Sequence, residues 1–186
     1  MEIDNHKIVG VPQRPLASFA LASKPRYIVI HYTEGGSVAE SHEYLQSKGY
    51  GYHAMVARNG ALIQCASFNR AVRHSGKSNW KGRSGVSGFS LGVCAANYGI
   101  RAAEFGVANP LTARHKSEGM TRMWERYPDA QVAAIRNVCE LLVRTYPTIV
   151  DIVGHDDVAV GRKLDPGPAF PMAELYPLVP GRVAAD

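Results

Sequence analysis

The chain has 186 residues, 46% hydrophobic, 20% charged and 9% aromatic, which suits one folded domain and excludes disordered, collagen-like, coiled-coil and low-complexity classes. Lys and Arg number 21 against 16 Asp and Glu, a formal net charge of +5; this favours an anionic partner, but the basic residues are scattered singly with no aromatic-interleaved stripe, so nucleic acid is not expected. No apolar run approaches the ~20 residues of a membrane span, and the opening Met1 to Lys7 lacks a basic stretch followed by an apolar core, so no membrane partner and cytoplasmic synthesis without a signal peptide are expected.

Residues 1–25 carry Pro12, Pro15 and Pro25 without sustained periodicity and read as an extended arm lying on the domain. Tyr27 to Tyr32 is a short apolar, partly β-branched run, the pattern of a strand buried on both faces. After the loop Thr33-Glu34-Gly35-Gly36, Ser37 caps a helix over Val38 to Lys48 that stops at Gly49. Tyr52 to Ala57 and Ala61 to Cys65 flank Arg58-Asn59-Gly60, a strong hairpin signal. A further strand is expected over Phe89 to Ala95.

The segment 98–127 mixes glycine, proline and charge without a period, and its length of about thirty residues suggests a functional or mobile loop. From Asp129 to Tyr146 the apolar residues Val132, Ile135, Val138, Cys139, Leu142, Val143 and Tyr146 form one helical stripe. Ile149 to Val153 predicts another buried strand, and the tail after Asp165 is proline-rich with at most one short helix. Cys65, Cys94 and Cys139 are odd in number and widely spaced, which fits neither a disulfide framework nor a zinc ribbon and suits a reducing compartment.

Two of the buried runs end on histidines, Ile28-Val29-Ile30-His31 and Ile152-Val153-Gly154-His155. Sites in α/β sheets are built at strand ends, so neighbouring strands would bring these imidazoles together. Asp165 follows within Arg162-Lys163-Leu164-Asp165-Pro166-Gly167-Pro168, where proline and glycine hold it in a rigid turn. Two imidazoles and one carboxylate would leave a fourth tetrahedral position on zinc open to water, the pattern of a catalytic site. On spacing alone, the equal alternative is two histidines bonded to backbone and an aspartate capping a turn.

Several ordered motifs resemble the N-acetylmuramoyl-L-alanine amidase family, which includes phage lysozyme-type amidases, the muropeptide-recycling amidase and peptidoglycan recognition proteins. They are Ile28-Val29-Ile30-His31-Tyr32-Thr33, Gly51-Tyr52-His53, Arg58-Asn59-Gly60, Arg70-Ala71-Val72-Arg73-His74-Ser75-Gly76, Ser90-Leu91-Gly92-Val93-Cys94, and Gly154-His155 through Pro168. The resemblance covers roughly residues 26–176, between the arm and a tail at 177–186. It implies a single α/β domain with a mixed central sheet flanked by helices, with His31, His155 and Asp165 as zinc ligands.

By the same likeness Lys163 would stabilise a tetrahedral oxyanion, and Tyr52 would bond the attacking water or the intermediate. His53, one residue on, should face away and be structural. Where some relatives carry a glutamate base, this chain has Cys94, which leaves the general base open. His74 matches a family histidine on the groove wall and would bind substrate or be an ordinary bonded histidine. Trp80 would cover either a sugar or its own domain, and Asn97 would reach the stem peptide or end its strand. His6, His42 and His115 read as surface residues, and Arg162 with Asp157 as a pair orienting His155 and Lys163. The implied activity is zinc-dependent cleavage between N-acetylmuramic acid and L-alanine of peptidoglycan by a monomer. A phage or prophage endolysin is the first setting, with anhydro-muropeptide recycling or non-catalytic wall binding as alternatives.

Overall fold

A computed structural model describes residues 1–182. Its centre is a five-stranded sheet built from β1 (Tyr27–Tyr32), β2 (Ala54–Val56), β3 (Leu62–Gln64), β4 (Ser90–Ala95) and β7 (Asp151–Gly154), in the order β7-β1-β4-β2-β3. The first three pairings in that order are parallel and the last is antiparallel, the mixed sheet that the family likeness implies. Every residue of β1, β4 and β7 is buried, as expected of parallel strands covered on both faces.

The helices explain this cover. α1 (Val38–Lys48) starts where the Ser37 hydroxyl accepts from the Glu40 amide and ends at Gly49, whose left-handed φ of 66° a residue with a Cβ adopts at a cost. α2 (Asp129–Thr145) lays Ile135, Val138, Cys139 and Leu142 against Ile28, Ile30, Leu91 and Ile152 of the sheet. Its buried Gln131 donates to the carbonyls of Val56 and Ala96, 3.0 Å each, joining the helix to the ends of β2 and β4. The tail makes two 3-10 turns, Met172–Glu174 and Tyr176–Leu178, and sends Phe170, Leu175 and Val179 into the same core. No helix among the described residues is long and apolar enough to cross a membrane.

Residues 1–25 run along the sheet edge: Arg14 donates to Gln64 O and Gln64 to Pro12 O, while Ile8 reaches the main core. The stretch 98–127 is ordered rather than a periodless loop. A 3-10 turn, Gly99–Arg101, leads into an antiparallel hairpin of β5 (Leu111–Arg114) and β6 (Thr121–Trp124). The sequence all but hides it: the strands are four residues each, and only Leu111 and Ala113, alternating with Thr112 and Arg114, mark β5, while of all the strand residues Trp124 alone is fully buried. α3 (His155–Val158) is one short turn directly after β7.

Candidate metal centre and active-site groove

Because β1 and β7 are parallel neighbours with Gly154 opposite Ile30, His31 and His155 come off adjacent strand ends on the same edge of the sheet. The turn after α3 brings Asp165 back to them, fixed by the Asp156 amide donating to Asp165 O (2.8 Å) and the Tyr127 hydroxyl donating to Pro166 O (2.9 Å). The three side chains converge: His31 Nδ1 and His155 Nδ1 lie 3.1 Å apart and each is 3.0 Å from Asp165 Oδ2. All three residues are buried. The edge of a tetrahedron with ~2.0 Å bonds is roughly 3.3 Å, so a divalent cation fits over this triangle with a fourth direction left free. His155 Nε2 donates to Ser75 O (3.2 Å), which leaves its Nδ1 lone pair for the cation.

Electrostatics keep His31 and Asp165 in ligating form. Burial, reinforced by His155, lowers His31 to about 4, so it is neutral at pH 7. Burial works to raise Asp165, but attraction to His155 and His31 wins and holds its carboxyl well below the usual range. Two imidazoles and one carboxylate make a borderline-soft N/O donor set suited to zinc.

The triangle stands in a groove of about 880 Å³ whose walls include Tyr52, Arg73, Arg101, Arg162 and Lys163. Tyr52 reaches it just before β2, its ring 4.8 Å from that of His31. Burial, then Cys94 and Asp165, pushes the Tyr52 phenol well above its ordinary value. Cys94 itself is fully buried, and burial followed by Asp165 likewise holds its thiol protonated. Lys163 is exposed on the groove wall. His53, in contrast, is buried away from the groove: its Nδ1 accepts from the Gly92 amide (3.0 Å) and its Nε2 donates to Arg70 O (2.8 Å).

Other expected site residues are placed differently. Trp80 is not in the groove: its indole donates to the buried Asp151 (3.1 Å) and its ring packs on the cluster of Tyr27, Val29, Val86, Phe89, Val153 and Val158. Asn97 is fully buried and off the groove, where its Oδ1 accepts from the Gly99 amide (2.7 Å) and shapes the 3-10 turn. His74 touches the groove wall, but both ring nitrogens are spent inside the protein, 3.0 Å from His31 Nε2 and 3.1 Å from Ser90 Oγ. Arg162 and Asp157 do not pair: Arg162 donates to Ser75 O and Lys77 O, whereas Asp157 accepts from the Gly154 amide and Lys116.

His115 is buried rather than on the surface, and its Nε2 meets Asp156 at 3.1 Å. His6 and His42 bond Tyr146 and Arg14 O near the surface. The His115 contact belongs to a buttress that sequence reading missed. Lys116 bridges Asp156 and Asp157, Trp124 stacks on His115 and lies against Gly167, and Glu125 forks with Arg58, so the β5–β6 hairpin braces the turn carrying His155 and Asp165. Trp124 beside Glu125 and the short alternation Leu111-Thr112-Ala113-Arg114 were the signals available for it.

Comparison with known proteins gives the same frame. A family model described as N-acetylmuramoyl-L-alanine amidase matches residues 21–168. The 1,6-anhydro-N-acetylmuramyl-L-alanine amidase AmpD of Salmonella typhimurium (strain SL1344) is 30% identical over 128 residues, 68% of this chain and 56% of the relative; the chain thus spans about half the length of the curated relatives it matches. Among solved structures, a Se-Met AmpD derivative superposes with a TM-score of 0.70 at 22% identity over 96% of this chain and 99% of the other. AmpDh3 from Pseudomonas aeruginosa in complex with anhydromuramic pentapeptide gives 0.67 at 24% identity, over 84% and 60%. These two likenesses establish a shared fold. Since the matched segment takes in the whole central sheet, both converging histidines and the aspartate turn, the chain belongs to the N-acetylmuramoyl-L-alanine amidase family.

Proposed function

We propose that this protein hydrolyses the amide between the lactyl group of N-acetylmuramic acid and the first L-alanine of the peptidoglycan stem, with zinc held by His31, His155 and Asp165. The observation that carries the reading is the triangle of two Nδ1 atoms and one carboxylate oxygen, 3.0–3.1 Å on a side, at the floor of an open groove. Zinc, when bound, polarises a carbonyl and lowers the pKa of water to roughly 7.

The chain's own residues do the rest. Arg73, Arg101, Arg162 and Lys163 on the groove walls favour an anionic, extended substrate. The Lys163 ammonium offsets charge on the developing oxyanion, and the protonated Tyr52 hydroxyl donates a hydrogen bond at the reacting centre. With its phenol held far above 10, Tyr52 acts as donor and not as base, and the buried Cys94 thiol takes no proton.

The substrate we favour is a soluble 1,6-anhydro-muropeptide. An endolysin is the expectation from sequence, but the curated relatives include 1,6-anhydro-N-acetylmuramyl-L-alanine amidases from several bacteria, which supports the recycling-type alternative. Non-catalytic wall binding is disfavoured by the presence of Asp165 and Lys163 together. The test is to incubate purified zinc-loaded protein with anhydro-muropeptide and, separately, with intact sacculi, and to analyse products by mass. We expect free stem peptide and anhydro-sugar from the soluble substrate, and loss of both zinc and activity in Asp165→Ala. Rapid release from sacculi with none from the soluble fragment would return the endolysin reading, and binding of both without release would defeat the enzyme.

A further inference from the structure

Behind the metal centre lies a chain of hydrogen bonds whose direction can be read from its far end. Ser90 Oγ is 2.6 Å from Val86 O. A carbonyl only accepts, so the serine hydroxyl proton is spent there, and toward His74 Nε2, 3.1 Å away, Ser90 Oγ must accept. His74 therefore carries its hydrogen on Nε2. A neutral imidazole has one, so His74 Nδ1 is a bare acceptor. His31 Nε2, 3.0 Å from that atom, is then the donor. This puts the His31 lone pair on Nδ1, the atom that faces His155 and Asp165.

The packing leaves the His74 ring little choice of pose. A Cβ on Gly92 would lie 2.9 Å from His74 Cγ and 3.0 Å from Nδ1, so the ring lies against the bare backbone of β4. That backbone is pinned in turn: the Gly92 amide donates to His53 Nδ1 (3.0 Å), and the His53 amide donates to Gly92 O (2.9 Å). His155 reaches the same end by a simpler route, donating to Ser75 O.

We propose that His74, oriented by Ser90 and seated on Gly92, is a positioning residue that holds His31 in the tautomer presenting Nδ1 to the metal, and is not a substrate contact. The proposal rests on the zinc reading above for its consequence, though the proton order holds without a metal. Ligating histidines need a partner on the other nitrogen, and loss of that partner typically costs ~10–100-fold in metal affinity.

Two measurements test it on the full chain. Long-range 15N–1H NMR of metal-free wild-type protein reads the tautomers directly. We expect hydrogen on His31 Nε2 and on His74 Nε2, with His74 Nδ1 bare; a hydrogen on His74 Nδ1 would overturn the proposal. Zinc dissociation constants, from competition with a chromophoric chelator, are expected to rise ~10–100-fold in His74→Phe and by about the lower figure in Ser90→Ala. His74→Gln, whose amide oxygen can accept from His31, should recover part of the loss. Folded Ser90→Ala and His74→Phe binding zinc as tightly as wild type would also overturn it. If His74→Phe fails to fold, Ser90→Ala and the wild-type spectrum still decide. Should wild-type protein bind no zinc, the proposed function fails while the tautomers still judge the relay.

Discussion

Gly167→Ala probes the packing that braces the Asp165 turn. Gly167 has a φ of 71°, and a Cβ there would lie 2.7 Å from Trp124 Cε3 and closer still to Cζ3. The left-handed backbone costs a residue with a Cβ ~1–2 kcal/mol, and overlap with a fully buried ring adds ~1–3 kcal/mol, so the variant should lose roughly 2–5 kcal/mol. Trp124→Ala alone removes a side chain with no exposure and should cost ~3–5 kcal/mol. In the double variant the overlap vanishes and only the backbone cost adds to the tryptophan loss, giving a favourable coupling of ~1–3 kcal/mol. Urea unfolding of the four zinc-free proteins, with the slope checked for two-state behaviour, measures this. Losses that add to within ~0.5 kcal/mol would refute the contact as the source of the strain.

The remaining predictions concern acid and the groove. His31 and His53 are both held at about 4, chiefly by burial. Protonation below pH 6.5 therefore favours the unfolded chain: the stability they contribute is complete above pH 6.5 and falls away as the pH drops towards 4, by roughly 3 kcal/mol per histidine. Urea midpoints of zinc-free protein that stay level across that window would contradict it. Lys163→Met, at an exposed position, should leave the unfolding free energy from urea titration within ~0.5 kcal/mol of wild type while kcat on anhydro-muropeptide falls ~100–1,000-fold; an unchanged kcat would remove Lys163 from the chemistry. Tyr52→Phe should cut kcat ~100-fold or more with zinc affinity unchanged, and full activity in that variant would assign the proton work elsewhere.

Much of this protein was legible without coordinates wherever local pattern and burial coincide. The run Tyr27 to Tyr32 reads as a strand covered on both faces, the stripe from Val132 to Tyr146 as a helix with one apolar side, and the histidines closing two buried runs could be expected at one edge of a sheet. The β5–β6 hairpin was not legible, because strands of four residues with one half-buried face carry too short an alternation to stand out, and they derive their order from one buried tryptophan and a few ion pairs to distant parts of the chain. Nor could the roles of Trp80, Asn97 and His74 be read locally: a ring in a polar loop turns inward only if a buried acceptor such as Asp151 awaits it, and an imidazole is substrate contact or scaffold according to what sits at its two nitrogens. Chain order settles which residues are apolar, rigid or able to ligate. Which of them meet is decided by the register of parallel strands, since this brings together side chains that lie far apart along the backbone and close off one another's alternatives.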